Sequence, residues 1–408
     1  MKYSISKTNK VLEGRVVLPS SKSISNRVQI INALSNSFEP IKNLSDCDDS
    51  KAMKNILLSN TNTFDVGHAG TTMRFLTAYL SKIVGEWTLT GSNRMKERPI
   101  GVLVDALNSL GAQICYLEKE GYPPLKIFGS NITGKEVELK GDTSSQYISA
   151  LLLIAPTLEN GLRIKLKGDI VSRSYIEMTL NIMEEFGVKS EFKGQEIFVS
   201  KQEYKRIPYT VEGDWSGASY WWSFIALAGE GKLYLDGLKK NSFQGDSGLM
   251  PVFEKLGVKT QFSKRGMFIE KKESDCKKLV FDFLQMPDLA QTFAVCSCLK
   301  DIPFHFKGLE TLKIKETDRI FALIVELSKL GYVLYEPADG ELAWDGDRKK
   351  EDANIVIETY HDHRMAMAFA PVAMLRNDVV INDPEVVNKS YPNFWKELKN
   401  LGFTVEEK

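Results

Sequence analysis

Six short polar stretches, spaced almost evenly along the chain, each stand between a strand-like run and an apolar, helix-like run. They are Ser21-Lys22-Ser23, Ala69-Gly70-Thr71-Thr72, Asp142-Thr143-Ser144-Ser145-Gln146, Asp214-Trp215-Ser216-Gly217-Ala218, Pro287-Asp288-Leu289-Ala290-Gln291 and Asp362-His363-Arg364. Counted from Lys22 through Gly70, Ser144, Ser216, Asp288 and His363, the intervals are 48, 74, 72, 72 and 75 residues. A near-constant period with like chemistry at each junction predicts a duplicated supersecondary unit. Shared helix-capping preferences are the competing explanation, and they account for the likeness but not for the register. Strands, small-polar turns and apolar-periodic helices alternate throughout, which sets the class as α/β.

A chain of 408 residues exceeds the size at which single cores stop growing, so two domains are expected. Three units per domain put the boundary near Tyr209 to Asp214, just after Pro208. One lobe is then residues 14–212 and the other residues 1–13 with 213–408, with crossings at Glu13-Gly14 and Gly213-Asp214. Lys+Arg and Asp+Glu balance at 53 each, which argues against bulk attraction to nucleic acid or anionic membrane. Any anion site must be built from local clusters. The first residues lack an apolar core of signal-peptide length and no apolar run approaches a membrane span, so a soluble cytoplasmic protein is expected. Cys47, Cys115, Cys276, Cys296 and Cys298 are odd in number and form no Cys-x-x-Cys pair, which indicates neither a disulfide framework nor a zinc knuckle.

The junctions read as helix starts, where serine hydroxyls meet unpaired first-turn amides and the helix dipole favours anions. Lys22 and Arg27 add full charges to the first; on its own, that stretch reads more readily as a capped surface helix with two solvated cations, and the motifs downstream reverse that reading. Gly70 lets backbone amides approach a ligand closely. Pro99 suits a first helical position and biases Arg98 away from helical geometry, toward the helix mouth. Ser144, Ser145 and Gln146 open another apolar run, and Ser172 repeats the theme. Asp288 sits at a helix start, where the dipole stabilises its ionised form and where capping serves as well. Lys315 and Arg319, at i and i+4 before the run from Ile320, are expected on one helix face, an unfavourable pairing unless an anion joins them. His361-x-His363 lacks further metal ligands nearby, so no metal site is called there. Lys389 falls in a polar turn before Tyr391-Pro392.

Taken together, these motifs resemble the 5-enolpyruvylshikimate-3-phosphate synthases, an enolpyruvyl transferase family. Ser21 to Arg27, Ala69 to Arg74, Arg94 to Gly101, Ser144-Ser145-Gln146, Lys315 to Arg319 and Asp362-His363-Arg364 follow the family's order. The resemblance implies a two-lobed fold with three βαβαββ units per lobe and helix starts converging on a cleft. It implies that Ser23, Arg27, Ser144, Ser145, Ser172, Asp288 and Lys315 hold shikimate 3-phosphate, with Gln146 between the two substrates. It implies that Lys22, Gly70, Arg98, Arg319, Arg364 and Lys389 hold phosphoenolpyruvate. The chain departs from the family pattern in the short 48-residue interval, which truncates the first unit, in His68 where Asn is usual, and in Thr311 where an Asn contacts the shikimate phosphate.

The implied reaction adds the shikimate 5-hydroxyl to C2 of phosphoenolpyruvate as C3 is protonated, then expels phosphate as C3 loses a proton. Asp288 is the candidate acceptor of the hydroxyl proton and Glu316 the candidate for proton transfer at C3, with Lys22 stabilising charge. No metal or organic cofactor is called for, and a monomer with two small-molecule substrates is expected. Two other classes compete. A transferase acting on a UDP-sugar shares the fold, but the serine cluster fits a shikimate phosphate better and no matching catalytic cysteine is visible. A non-catalytic anion-binding repeat protein gains nothing from Asp288 and Glu316.

Overall fold

A strand, a buried helix, a second strand parallel to the first, another helix and an antiparallel hairpin make up the recurring unit. In the computed structural model, which describes residues 1–377 and 379–408, the clearest copy begins with Thr63–Asp65. That strand pairs in parallel with Glu86–Thr90 across the helix Gly70–Lys82. Glu86–Thr90 then pairs antiparallel with Leu125–Phe128, the second strand of a hairpin that starts at Gln113–Tyr116. The sheet built from Glu136–Lys140, Leu162–Lys167, Glu196–Val199 and Glu191–Lys193 repeats the same order and directions.

The remaining copies are variations on this plan. Val11–Val17, Glu230–Asp236, Gly266–Lys271 and Val258–Ser263 form a complete one. Leu279–Asp282, Phe304–Lys307 and Leu342–Trp344 form another, its fourth strand reduced to a bridge at Tyr335. In the last, Val356–Ile357 and Val379–Asn382 are completed by Lys2–Ser6 and Thr404–Glu407, so the two ends of the chain close one sheet. Among the described residues the short first interval leaves a parallel pair, Ile41–Lys42 with Tyr209–Thr210, and no hairpin.

The chain divides into two compact units, Ser20–Val211 and Met1–Pro19 with Glu212–Lys408. The crossing expected at Glu13-Gly14 falls inside the strand Val11–Val17, all of which pairs with Glu230–Asp236. Cutting there would break a parallel ladder, so the chain leaves that unit only after Pro19.

Each unit is organised around helices buried on nearly every side, most of them largely apolar, with polar side chains such as Ser25, Asn26 and Arg27 buried in the first. In Ser20–Val211 these are Lys22–Leu34, Gly70–Lys82 and Ser145–Ile154. In the other unit they are Trp215–Leu227, Ala290–Leu299 and His363–Phe369, of which only Ser216 is not buried. Aromatic rings fill the second core in sequence: Trp222 against Phe253, Phe253 against Phe293 at 4.3 Å between centroids, and Phe293 against Phe283 at 5.4 Å. Among the described residues no helix is long and apolar enough to cross a membrane.

Because Phe293 is fully buried between two other rings, Phe293→Ala should cost about 3–5 kcal/mol of unfolding free energy. Urea denaturation followed by tryptophan fluorescence measures it, and a loss under about 1 kcal/mol would mean that the core collapses around the gap.

Candidate active site

Many of the polar residues singled out in the sequence, among them Lys22, Gly70, Ser144 and Arg364, lie at the N-terminal ends of the buried helices. In Ser20–Val211, Ser21 caps Lys22–Leu34 through the Ile24 amide and Ser144 caps Ser145–Ile154 through the Gln146 amide. The helix mouths are stitched together by side chains. Lys22 Nζ lies 3.6 Å from the buried Asp49 carboxylate, and the Asp49 carbonyl accepts from Thr72 at 2.9 Å. Gln146 donates to Thr71 at 3.3 Å. Three dipole-positive ends with Lys22 and Arg98 beside them make an anion-attracting surface.

Gly70 is required here for a reason beyond amide access. A Cβ at this position would come within 2.7 Å of both the Arg74 and the Arg98 guanidinium, so glycine makes room for two cations at one helix end. Arg74, which sequence reading left out, is pinned by the carbonyls of Gly70 and Pro99 and lies over the Tyr147 ring. Arg98 Nε is buried without a hydrogen-bond partner. Ser172 is 6% exposed and holds a left-handed backbone, φ 54°, at the mouth of Arg173–Glu185. Non-glycine residues adopt that conformation at a cost and cluster at functional positions.

Arg27 plays a different part from a free phosphate fork. It is 2% exposed and donates to Thr179 Oγ1 at 2.7 Å, Ser149 Oγ at 3.0 Å, and the carbonyls of Ser23 at 2.8 Å and Tyr175 at 3.3 Å. Burial pulls its pKa down to about 10. It therefore fixes the first turn of its own helix, including Ser23, against two neighbouring helices. His68, at one of the departures from the family pattern, bonds Ser92 Oγ through Nδ1 at 2.9 Å.

In the other unit the site is a network of charges centred on Arg319. Its Nε donates to Asp362 at 2.7 Å, one terminal nitrogen to Asp288 at 2.9 Å and the other to Glu316 at 2.9 Å. Asp288 also accepts from Arg364 at 2.9 Å and has Lys315 at 3.8 Å, while Glu316 accepts from Lys389 at 2.5 Å. Burial alone would push the Asp288 carboxyl up, but Arg364, Lys315 and Arg319 together hold it well below the usual carboxylate range. Burial disfavours the Arg319 charge too, yet Asp362, Glu316 and Asp288 more than reverse this and raise its pKa. For Lys315 burial dominates and lowers the pKa despite Asp288.

Lys315 and Arg319 do not share a helix face. Asp318 caps the helix Arg319–Lys329 through the Phe321 amide, so Lys315 lies outside it, after the short 3-10 helix Glu310–Ile314. The two cations meet at Asp288 instead. His361 is exposed whereas His363 is buried, which separates their rings, and among the described residues no cluster of metal-ligating side chains is present. The Thr311 hydroxyl is buried without a hydrogen-bond partner.

Sequence reasoning missed two further members. Asp362 receives Arg319 and also caps His363–Phe369 by accepting from the Arg364 amide at 2.8 Å. Asp246, 4% exposed, accepts from the Ser216 hydroxyl through one oxygen while its other oxygen has no partner. Burial first, and then the Asp288 charge, push the Asp246 carboxyl up to about 7, against the opposing pull of Arg364. A buried Asp just outside a capping position leaves no periodic signal in a sequence. The recurrence of Asp at helix starts was the one available sign for Asp362.

Comparison with known proteins places these residues in context. Residues 57–398 match the family model described as EPSP synthase (3-phosphoshikimate 1-carboxyvinyltransferase). The chain is 49% identical over 407 residues to a 3-phosphoshikimate 1-carboxyvinyltransferase of Bacteroides fragilis, covering 100% of this chain and 99% of that one. It is 38% identical over 420 residues to the enzyme of the same name from Photobacterium damsela subsp. piscicida, covering 96% and 97%. A solved structure of EPSP synthase from Acinetobacter baumannii superposes with a TM-score of 0.76 at 20% identity over the full length of both chains, which speaks for the fold.

Asp246 gives the site a pH-dependent stability with a definite sign. Its folded pKa of about 7 lies above the unfolded carboxyl's, so the native state holds a proton that favours folding at low pH, and that contribution is lost as pH rises toward 7. Asp246→Asn removes the loss. Urea unfolding at about pH 5 and about pH 8 should show the variant gaining on the parent by on the order of 1–3 kcal/mol at the higher pH. A constant offset would show that Asp246 does not titrate in this window.

Proposed function

The chain belongs to the EPSP synthase family, and from that premise we propose how its residues divide the work of the family's reaction. The protein is a transferase of the shikimate pathway. It moves the enolpyruvyl group of phosphoenolpyruvate to the 5-hydroxyl of shikimate 3-phosphate and releases phosphate. The observation that carries the assignment of roles is the interleaving of two carboxylates, Asp288 and Glu316, with Lys315, Arg319, Arg364 and Lys389. A site meant only to hold anions would not spend its cations on carboxylates.

On this reading Ser23, Ser144, Ser145, Ser172, Asp288 and Lys315 bind shikimate 3-phosphate, Arg27 braces Ser23, and Gln146 touches both substrates. Lys22, Gly70, Arg98, Arg319, Arg364 and Lys389 bind phosphoenolpyruvate. Forked guanidinium donors suit its phosphate and carboxylate oxygens, and the lysines act as point charges. Asp288 takes the proton of the 5-hydroxyl as the hydroxyl oxygen bonds to C2, while Glu316, which enters this step in its protonated form, gives a proton to C3. Expulsion of phosphate then restores the double bond as C3 gives a proton back. Lys22 stabilises the charge that builds on the phosphoenolpyruvate oxygens.

The electrostatics add a condition to the first step. A carboxylate held well below its usual range by three cations is a weak base. A phosphoenolpyruvate anion that takes a share of Arg364 and Arg319 weakens their hold on Asp288, so its proton affinity rises with substrate binding. On the same reading the protein acts as a cytoplasmic monomer and needs no added metal or organic cofactor.

Purified protein mixed with both substrates should release phosphate, and with either alone it should not. Glu316→Gln should lower kcat by about 10²–10⁴-fold while leaving the affinity for shikimate 3-phosphate nearly intact. Arg98→Ala should instead raise KM for phosphoenolpyruvate. Loss of shikimate 3-phosphate affinity with unchanged turnover in Glu316→Gln would remove Glu316 from the proton-transfer role.

A further inference from the structure

Immediately before the Asp362 cap, the chain makes a turn whose sequence is wrong for its shape. The Asp362 amide donates to the Thr359 carbonyl at 2.8 Å, and the two residues between, Tyr360 and His361, both have positive φ, 53° and 55°. Two successive left-handed residues closed by such a bond make the type I′ turn, a form normally filled by Asn, Asp or Gly because a Cβ opposes it. Tyr does not supply that preference, and His, which visits positive φ more readily, still pays for its Cβ, so something outside the turn must hold Tyr360 there.

The holding group lies on the helix that begins with Arg319. Tyr360 donates its hydroxyl to Glu326 Oε1 at 2.7 Å, and Glu326 is fully buried on Arg319–Lys329. The second oxygen of Glu326 accepts from the Glu358 amide at 3.0 Å and from Lys329 at 2.6 Å. Lys329 in turn donates to the Val356 carbonyl at 2.9 Å. Arg319 and Glu326 are two helical turns apart and so face the same way. One helix face thus grips the segment from Val356 to Asp362 at both ends, by Lys329 and Glu326 below and by the Arg319–Asp362 pair above. Outside, His361 Nδ1 lies 2.9 Å from the Asp383 carboxylate, an exposed contact that adds little.

We propose that Tyr360 and Glu326 are positioning residues for the transfer reaction: the Tyr360 hydroxyl, held on Glu326, keeps the Tyr360–His361 turn left-handed and so sets Asp362 against Arg319 and the first turn bearing Arg364. Neither residue touches substrate in this role. It rests on the reading above that Arg319 and Arg364 bind phosphoenolpyruvate. The burial of the Tyr360 hydroxyl and the neighbouring Glu326 charge both keep it protonated, as a donor must be. A misaligned Asp362 would loosen both arginines; of the groups assigned to shikimate 3-phosphate it reaches Asp288, which both arginines contact, and leaves Ser23, Ser144, Ser145 and Ser172 in place.

Steady-state kinetics on the full chain with both substrates test this, with the parent enzyme's phosphate release checking the underlying reading separately. Tyr360→Phe, which removes only the hydroxyl, should raise KM for phosphoenolpyruvate by about 3- to 30-fold and change the Kd for shikimate 3-phosphate by much less. Adding His361→Gly to that variant supplies a residue that takes positive φ freely and should restore most of the lost affinity. A purely structural or chemical role for the hydroxyl predicts no such rescue. An unchanged KM in Tyr360→Phe, or a raised KM that His361→Gly leaves in place, would overturn the proposal. Should Tyr360→Phe fail to fold, Glu326→Gln carries the test, because its amide oxygen still accepts the hydroxyl but without charge. KM for phosphoenolpyruvate should then rise about two- to fivefold, and no rise would overturn the proposal.

Discussion

The second unit depends on one buried guanidinium. Arg319 has a side chain 2% exposed, and taking such a charge out of water is tolerable only if it is paired and its donors are used. Three carboxylates from three separate stretches, Asp288, Glu316 and Asp362, do both. Their convergence dictates where the chain must run before and after each of them. Around this centre Lys315, Arg364 and Lys389 are added at the edges. The four cations exceed the three carboxylates, so the cluster remains attractive to an anion although its ion pairs are internally satisfied, and an incoming phosphate competes with carboxylates rather than with water alone.

The first unit solves the same problem with less charge and more backbone. Helix dipoles at Lys22, Gly70 and Ser145 supply partial positive ends, Lys22 is partly offset by Asp49, and Gly70 admits two guanidinium groups at one mouth. Both units place strained residues beside these groups: Ser172 in one, and Tyr360, His361 and Asp383 in the other. Left-handed geometry costs about 1–2 kcal/mol for each ordinary residue, so each must be held by neighbours. Tyr360 is held by the buried Glu326, which shows how strain near a site is offset by contacts away from it.

Much of this was legible in the sequence because the groups concerned sit where sequence has a strong local grammar. Ser21, Ser144, Asp214 and Asp362 are caps, and caps are written next to the helices they start. The repeat spacing likewise follows from one unit's length. What escaped were relations that only tertiary structure creates. Arg74 at the mouth of its own helix, Asp246 opposite Ser216 and the Arg319–Asp362 pair join residues with no shared period. Lys315 was misplaced for a local reason: the apolar run begins only at Ile320, and Asp318 captures the Phe321 amide and starts the helix there, which leaves Lys315 outside it. The strand Val11–Val17 looked like the lead-in to Lys22 because it precedes it, yet its ladder partner is Glu230–Asp236, more than two hundred residues on.

The truncated first repeat shows why a site of this kind withstands large changes in the scaffold. In the complete copies the antiparallel hairpin lies at the outer side of the sheet, beyond the parallel pair, whereas the polar groups sit at the helix mouths. In the first repeat Ile41–Lys42 pairs with Tyr209–Thr210 alone among the described strands, and the apolar side chains of Phe38 and Leu58 are exposed. The shortening does not disturb Lys22, whose helix is still capped by Ser21 and still braced by Arg27 against Ser149 and Thr179. The link from Lys22 through Asp49 to Thr72 also survives, because Asp49 belongs to the helix Asp48–Leu57, which the shortened unit keeps. Helix packing rather than sheet completeness holds the ligand groups, so a repeat can lose half of its sheet at a cost in apolar coverage while every group at its helix mouths stays in place.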